Sequence, residues 1–180
     1  HSKLAEKIWF GKWRRKYFAP LTGKILEVGI GTGENINYYN QKAKVIGIDF
    51  SEKMLYKAKE KLVKSGKKNI LLKQMDAELL NFKEDSFDYV VTTFVFCSIP
   101  NPTKALVEIK RVLKPTGRLI MIEHVLSRNK IISLIERIHN PFTKFFMGVN
   151  INRNTKQNTI DSGMIIAKDE NLALFDVFRL

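Results

Sequence analysis

The chain predicts an α/β fold with a mostly parallel sheet. Three observations carry this. Strand-like and helix-like segments alternate along the 180 residues. Phe87 to Phe96 is almost wholly apolar and β-branched, as a strand buried on both faces should be. A glycine-rich turn, "LEVGIGTG" at residues 26–33, directly follows the first apolar run.

The elements follow in order. Lys24 to Gly29 reads as the first strand, and a helix is expected from near Gly33 to about Tyr39. Lys44 to Asp49 is the second strand. Ser51 can cap the next helix, in which Met54, Leu55, Ala58 and Leu62 recur at helical spacing, and Ser65-Gly66 ends it. Asn69 to Met75 is the third strand and Phe87 to Phe96 the fourth. Pro102 opens a helix with the face Ala105, Leu106, Ile109, Val112 and Leu113, stopped by Pro115 and Gly117. Arg118 to Val125 is the fifth strand. Ile131 to Ile138 is helical by pattern, with a break at Pro141. Thr155 to Ser162 reads as a short helix ended by Gly163. Met164 to Leu172 and Leu174 to Leu180 form an expected closing strand pair.

Composition narrows the class. The length suits one domain, residues 1–180, with an amino-terminal helical cap at 1–22 and acceptor-side helices at 130–163. Cys97 is the only cysteine, so no internal disulfide can form. No run reaches the roughly 20 apolar residues that span a bilayer, and no signal-peptide pattern opens the sequence. A cytoplasmic location is expected, with peripheral attachment to an inner membrane face as a variant. The net charge of +13 admits an anionic partner, but many lysines are scattered along helix patterns.

The glycine turn lies where a parallel sheet opens its ligand crevice. Its spacing, Gly29, Gly31 and Gly33, is not that of a dinucleotide fingerprint. Glu27 precedes it, and a carboxylate there would repel a pyrophosphate but suit a cationic ligand end. Asp49 ends the second strand, 18 residues after Gly31, where an acid accepts from ribose hydroxyls. Asp76, followed by Ala77, ends the third strand within reach of an adenine edge. Met54 can lie against the base. Three acids after three strands thus describe a nucleoside carrying an amino acid.

Four segments carry a resemblance: "ILEVGIGTGENINYY", "VIGIDFSEKMLYKAKEKL", "MDAELLNFKEDSFDYVVTTFVFCSIPNP" and "ALVEIKRVLKPTGRLIMIEHVLSRN". Over residues 24–129 the chain resembles the class I S-adenosylmethionine-dependent methyltransferases. The resemblance implies a Rossmann-like sheet of seven strands, the last antiparallel, with helices on both faces. It implies S-adenosyl-L-methionine as cofactor and S-adenosyl-L-homocysteine as product. Glu27 and the glycines at 29, 31 and 33 would hold the methionine part, Asp49 the ribose, and Asp76 with Ala77 the adenine. Thr93 and Phe94 would line the methyl-donor pocket, and Asn35 and Phe50 complete the expected donor-binding set. "FVFCSIPNP", "EHV" and "NINRNT" are similar to bacterial phospholipid N-methyltransferases and animal membrane-associated thiol methyltransferases, and more loosely to quinone C-methyltransferases. Thr116 stands where a glycine is usual, and Val149-Asn150 where those relatives show a pair such as Cys-His.

Methyl transfer is a displacement at carbon, and the protein mainly orients the reactants. Glu123 and His124, at the end of the fifth strand, are the expected catalytic groups, with His124 as base or headgroup ligand. Asn152 and Arg153 are the expected substrate-binding pair, Arg153 clamping a phosphate or carboxylate. No metal is expected. The acceptor is read as a small or lipid-like molecule; the alternatives are RNA, a thiol or another small molecule. Nucleic acid is disfavoured because no separate RNA-binding module is present, and oligomeric state is not read. The segment "KLAEKIWFGKWRRKYFAP" allows two accounts. It could lie in an anionic membrane interface with its aromatics down and its cations, Arg14 among them, snorkelling, or it could pack over the donor. The apolar stretch Ile131 to Met147 is either core or acceptor-cavity lining.

Overall fold

The computed structural model describes residues 10–124, 155–173 and 178–179. Helix α1 covers Gly11–Phe18, and strand β1, Gly23–Val28, follows it. Strand β2 is Ala43–Asp49, helix α2 Glu52–Ser65 and strand β3 Ile70–Gln74. Strand β4, Phe87–Thr93, leads through a loop to helix α3, Pro102–Val112, and strand β5, Leu113–His124. Helix α4, Thr155–Asp161, and the short strands β6, Asn171–Ala173, and β7, Phe178–Arg179, lie near the carboxyl end.

The first five strands pair in parallel in the order β3-β2-β1-β4-β5. β7 joins β5 antiparallel through Glu123↔Arg179 and His124↔Phe178, and β6 pairs antiparallel with β7. The order jumps from β1 to β4 at the centre, so the chain leaves the sheet on one side of β1 and returns on the other. That is the switch point where a crevice opens beyond the strand ends.

Strand alternation builds two cores. Leu26, Val28 and Val90 face α3, packing with Leu106, Ile109 and Val112. Ile25 and Val91 face the other way, with Phe18, Ile36, Tyr39 and Ile122. By the same parity Glu27 and Thr93 belong to this second face, beneath α1.

Local chemistry sets the helix ends. The Ser51 hydroxyl accepts from the Met54 amide at 3.4 Å, and Gly66 closes α2 at φ +67°. Asn101 caps α3 by accepting from the Lys104 amide at 3.0 Å, with Pro102 in the first turn.

Several expectations are corrected. The helix expected from Gly33 to Tyr39 is a set of turns ending in one 3-10 turn, Ile36–Tyr38. Gly29, Gly31 and Gly33 all take positive φ, which no α-helix can continue. β4 stops at Thr93 rather than Phe96, because Phe94 turns to φ +56°. β5 begins at Leu113, not Arg118. Leu113 is already extended and pairs with Phe87, and the pairing then shifts register before Tyr89↔Arg118. Of the expected strand from Met164 to Leu172, only its end is strand, in β6. The expected helix Ile131–Ile138 and the break at Pro141 lie outside the described residues, as do the amino-terminal aromatic and basic residues before Phe10.

α1 is packed onto the sheet. Phe18 is fully buried and stacks on Tyr39 at 6.0 Å, and the Phe10 ring meets Phe94 edge-on at 5.0 Å. Arg14, which would snorkel on the membrane account, is only 4% exposed. Its stripe partners at i−4 and i+4 are Phe10 and Phe18, so it is drawn inward with them. The outer end of α1 is latched to the segment before β6. Glu170 accepts from the Tyr17 hydroxyl at 2.6 Å and pairs with Lys168 at 2.6 Å and Lys16 at 3.3 Å. Hydrogen bonds from Lys168, Tyr17 and Lys16 hold its carboxyl down at about 2. No described helix is long and apolar enough to cross a membrane.

The latch predicts a local effect. Tyr17→Phe should raise amide hydrogen exchange across Gly11–Phe18 while the global unfolding midpoint barely moves. Unchanged protection in that helix would count against the latch.

Candidate functional site

Four strand ends line the crevice, and their order sets its contents. Across the edge run Asp76 after β3, Asp49 at the end of β2, the glycine turn after β1, and Thr93 at the end of β4. Sequence order alone does not give that neighbourhood; the crossover does.

Glu27 is 1% exposed, at the floor of the crevice. Its Oε1 accepts from Asn35 Nδ2 at 2.7 Å and its Oε2 from the Tyr39 hydroxyl at 2.9 Å. Burial pushes its carboxyl up to about 7, against the pull of the Tyr39 and Asn35 hydrogen bonds and the Arg14 charge. Asn35 also donates to Thr93 Oγ1 at 2.6 Å, so one amide joins the ends of β1 and β4. Asn35 Oδ1 is buried with no hydrogen-bond partner among the described residues. A buried acceptor left over costs stability unless something fills it.

The glycines divide their work. A Cβ at Gly29 would collide with Val95, and one at Gly33 would come 2.5 Å from Ile36 Cδ1. Both serve packing as well as the turn. A Cβ at Gly31 would meet nothing closer than the Gly29 carbonyl at 4.0 Å, so its bare backbone faces open space. Asp49 fixes that backbone. Its Oδ2 accepts from the Gly31 amide at 2.8 Å and its Oδ1 from the Ser51 amide at 2.9 Å. A carboxylate has about four acceptor positions, so two remain for a ligand.

Beside Asp49, Phe50 is 74% and Met54 42% exposed, an apolar wall at the mouth. Asp76 is exposed, its Oδ1 accepting from the Glu78 amide at 2.8 Å, and Ala77 is half-buried beside it. Thr93 and Phe94 are half-buried at the far side. The structure thus gathers Glu27, the three glycines, Asn35, Asp49, Phe50, Met54, Asp76, Ala77, Thr93 and Phe94 along one edge.

Glu123 is different. It is 2% exposed. Its Oε1 accepts from the Thr92 hydroxyl at 2.8 Å, and its Oε2 from the Val95 and Phe96 amides at 3.1 and 3.3 Å. Burial raises its carboxyl to about 7, although these three hydrogen bonds pull it down. Its hydrogen bonds thus tie it to the end of β4 and to the loop that follows. The His124 side chain and the pair Asn152 and Arg153 lie outside the described residues. Among the described residues no group of three or more His, Cys, Asp or Glu could hold a metal ion.

The site fits the donor that the resemblance implied. Open space at Gly31, a spare buried acceptor at Asn35, a held carboxylate at Asp49 and an apolar wall suit an amino acid joined to a nucleoside. The profile of a family described as a methyltransferase domain matches residues 26–121. The chain belongs to that methyltransferase domain family. It is 39% identical over 103 residues to a phosphatidylethanolamine N-methyltransferase of Cereibacter sphaeroides, covering 57% of this chain and 51% of that one. It is 42% identical over 119 residues to a demethylmenaquinone methyltransferase of Lactococcus lactis, covering 62% and 47%. The chain spans about half the length of these curated relatives. In fold it matches the YcgJ protein of Bacillus subtilis with a TM-score of 0.74 at 21% identity, covering 88% of this chain and 68% of that one.

The two buried carboxyls make stability depend on pH. Each binds its proton more tightly when folded, about 7 against 4.5. Between those values the folded protein holds more protons than the unfolded chain, so stability falls as pH rises through the window. The loss is roughly 3 kcal/mol per group. Denaturant midpoints at pH 5 and pH 8 should differ less in Glu123→Gln than in the parent. An identical pH dependence in both would show that Glu123 does not titrate in this window.

Proposed function

We propose that this chain is an S-adenosyl-L-methionine-dependent methyltransferase, and that its acceptor is a small lipid-like molecule, a phospholipid amine or a quinol. The observation that carries the reading is the crevice edge itself: open backbone at Gly31, tied to Asp49 and flanked by Asn35. The acceptor class is supported by the phospholipid and quinone relatives. On this reading residues 1–180 act as one domain, residues 1–22 cap the donor, and residues 130–163 face the acceptor. The short β6–β7 pairing is the antiparallel edge of a seven-stranded sheet.

S-adenosyl-L-methionine, when bound, supplies a methyl group activated by its sulfonium. The protein's part is to bind and orient. Gly31 lets the methionine portion approach the backbone, and Asn35 Oδ1 accepts from its ammonium. Glu27 fixes Asn35 from below, so its role is to position rather than to pair with the ligand from open solvent. Asp49 offers its remaining acceptor positions to the ribose hydroxyls. Phe50 and Met54 flank the adenine, which Asp76 and Ala77 border. Thr93 and Phe94 line the methyl end. Glu123 anchors Val95 and Phe96 and so keeps that wall in place. An amine acceptor needs only its lone pair, whereas a quinol needs its proton taken, and His124 is the proposed base. Asn152 and Arg153 are the proposed acceptor ligands, the guanidinium suiting a phosphate or carboxylate. Contact with an inner membrane face, through residues before Phe10, would bring such an acceptor to the crevice.

Titration calorimetry with S-adenosyl-L-homocysteine tests the donor site. The parent should bind, and Asp49→Ala should lose at least about tenfold, roughly 1.4 kcal/mol. Affinity kept within about twofold, roughly 0.4 kcal/mol, would remove Asp49 from the site. For the acceptor, labelled donor should transfer its methyl group to phospholipid or quinone fractions of a cell extract. Transfer only to RNA would overturn the lipid reading.

A further inference from the structure

We propose that the outer side of α2 docks this protein on an anionic membrane surface. The proposal rests on the lipid-like acceptor reading above and names the face that meets the acceptor's membrane.

α2 buries one side and leaves the rest to solvent. Ala58 is fully buried, and Leu55 and Leu62 pack on the core beneath α1. The outer side carries two stripes. Lys53, Lys57 and Lys64 fall on one, spaced four and seven residues apart. Tyr56 and Val63 lie seven residues apart on the next, with Lys59 beside them. All four lysines are exposed. So are the two apolar side chains, Tyr56 at 65% and Val63 at 74%. Tyr56, Lys59, Glu60, Val63 and Lys64 border one shallow depression.

These cations have no carboxylate partners. Elsewhere lysines meet acids, as in Lys61 with Glu34, Lys114 with Asp88 and Lys168 with Glu170. Among the described residues Lys53, Lys57, Lys59 and Lys64 form no ion pair, although Glu52 and Glu60 share their helix. α1 lies on the same face of the sheet, because Phe18 enters the core that Leu55 and Leu62 cover. It exposes Lys12 and Arg15. Both helices therefore present cations outward from one side of the molecule.

Lysines set among apolar side chains suit a lipid surface. Basic clusters are drawn to anionic headgroups, and tyrosine and valine can enter the headgroup region beside the lysine stems. A nucleic-acid backbone would take the cations and give Val63 no partner. The position fits as well. α2 begins at Glu52, just past Asp49 on the crevice rim. Docking through α2 sets that rim beside the leaflet that holds the acceptor.

Cosedimentation of the full chain with vesicles tests this. The parent should bind vesicles of equal parts phosphatidylglycerol and phosphatidylcholine, and bind phosphatidylcholine alone at least about tenfold more weakly. Salt at roughly 0.5 M should release most of it. The triple variant Lys53→Glu, Lys57→Glu and Lys64→Glu should lose at least about tenfold, and its calorimetric affinity for S-adenosyl-L-homocysteine should stay within about twofold. Lys44, Lys73 and Lys83 lie on the other face of the sheet, away from α2. Reversing those three instead should leave vesicle binding nearly unchanged. Equal loss in both triple variants would overturn the docking face and leave net charge as the cause. No binding to the anionic vesicles, or salt-sensitive binding to RNA alone, would also overturn it. Methyl transfer to dispersed lipid without vesicle binding would overturn the docking face and keep the acceptor reading. Vesicle binding with no lipid methylated would do the reverse.

Discussion

A carboxyl group buried under the central strand organises this molecule. Glu27 sits on β1, between β2 and β4, where an unpaired polar group is costly. It is kept there because Asn35 and Tyr39 both donate to it. Those two residues lie beyond the glycine turn, so satisfying Glu27 requires the chain to fold back over the end of its own strand. The three positive-φ glycines make that reversal sterically allowed. Asn35 then reaches Thr93, and Tyr39 receives Phe18 of α1. One buried acid thus ties together β1, β4, the turn and the covering helix.

Glu123 repeats the device on the other side. It lies on the opposite face of the sheet and binds the loop amides of Val95 and Phe96. Phe94, at φ +56°, swings the chain off β4 immediately before them. The two carboxyls hold the two walls of one crevice, from below and from the side. Neither has to touch a reacting atom to matter. Both leave the rim to other groups: the Gly31 backbone, Asp49 and the apolar pair Phe50 and Met54.

Much of this was legible in the residues. The apolar runs located β1 to β4, and Ser51, Gly66 and Pro102 marked helix ends as capping chemistry requires. The positions of Asp49 and Asp76 after successive strands were enough to place both on the crevice edge. What stayed hidden was set by side chains meeting across the fold. The stretch after Gly33 has the polarity of a helix, but its Asn35 and Tyr39 are committed to Glu27. Glu123 beside His124 looked like an acid at a mouth, and only the register of β4 against β5 shows it facing Thr92. Arg14 sits in a run of cations, and nothing in that run distinguishes the one that turns inward. The one available signal was its spacing from Phe10 and Phe18, four residues on either side.

The crevice edge as donor site is the reading on which the other roles depend. A titration of isotope-labelled protein with S-adenosyl-L-homocysteine, followed by amide NMR shifts, tests it most directly. The largest shifts should fall on Gly29–Asn35, Asp49–Met54, Asp76–Ala77 and Thr93–Phe94. Saturable shifts confined to other parts of the described fold, or no shifts at all, would contradict it.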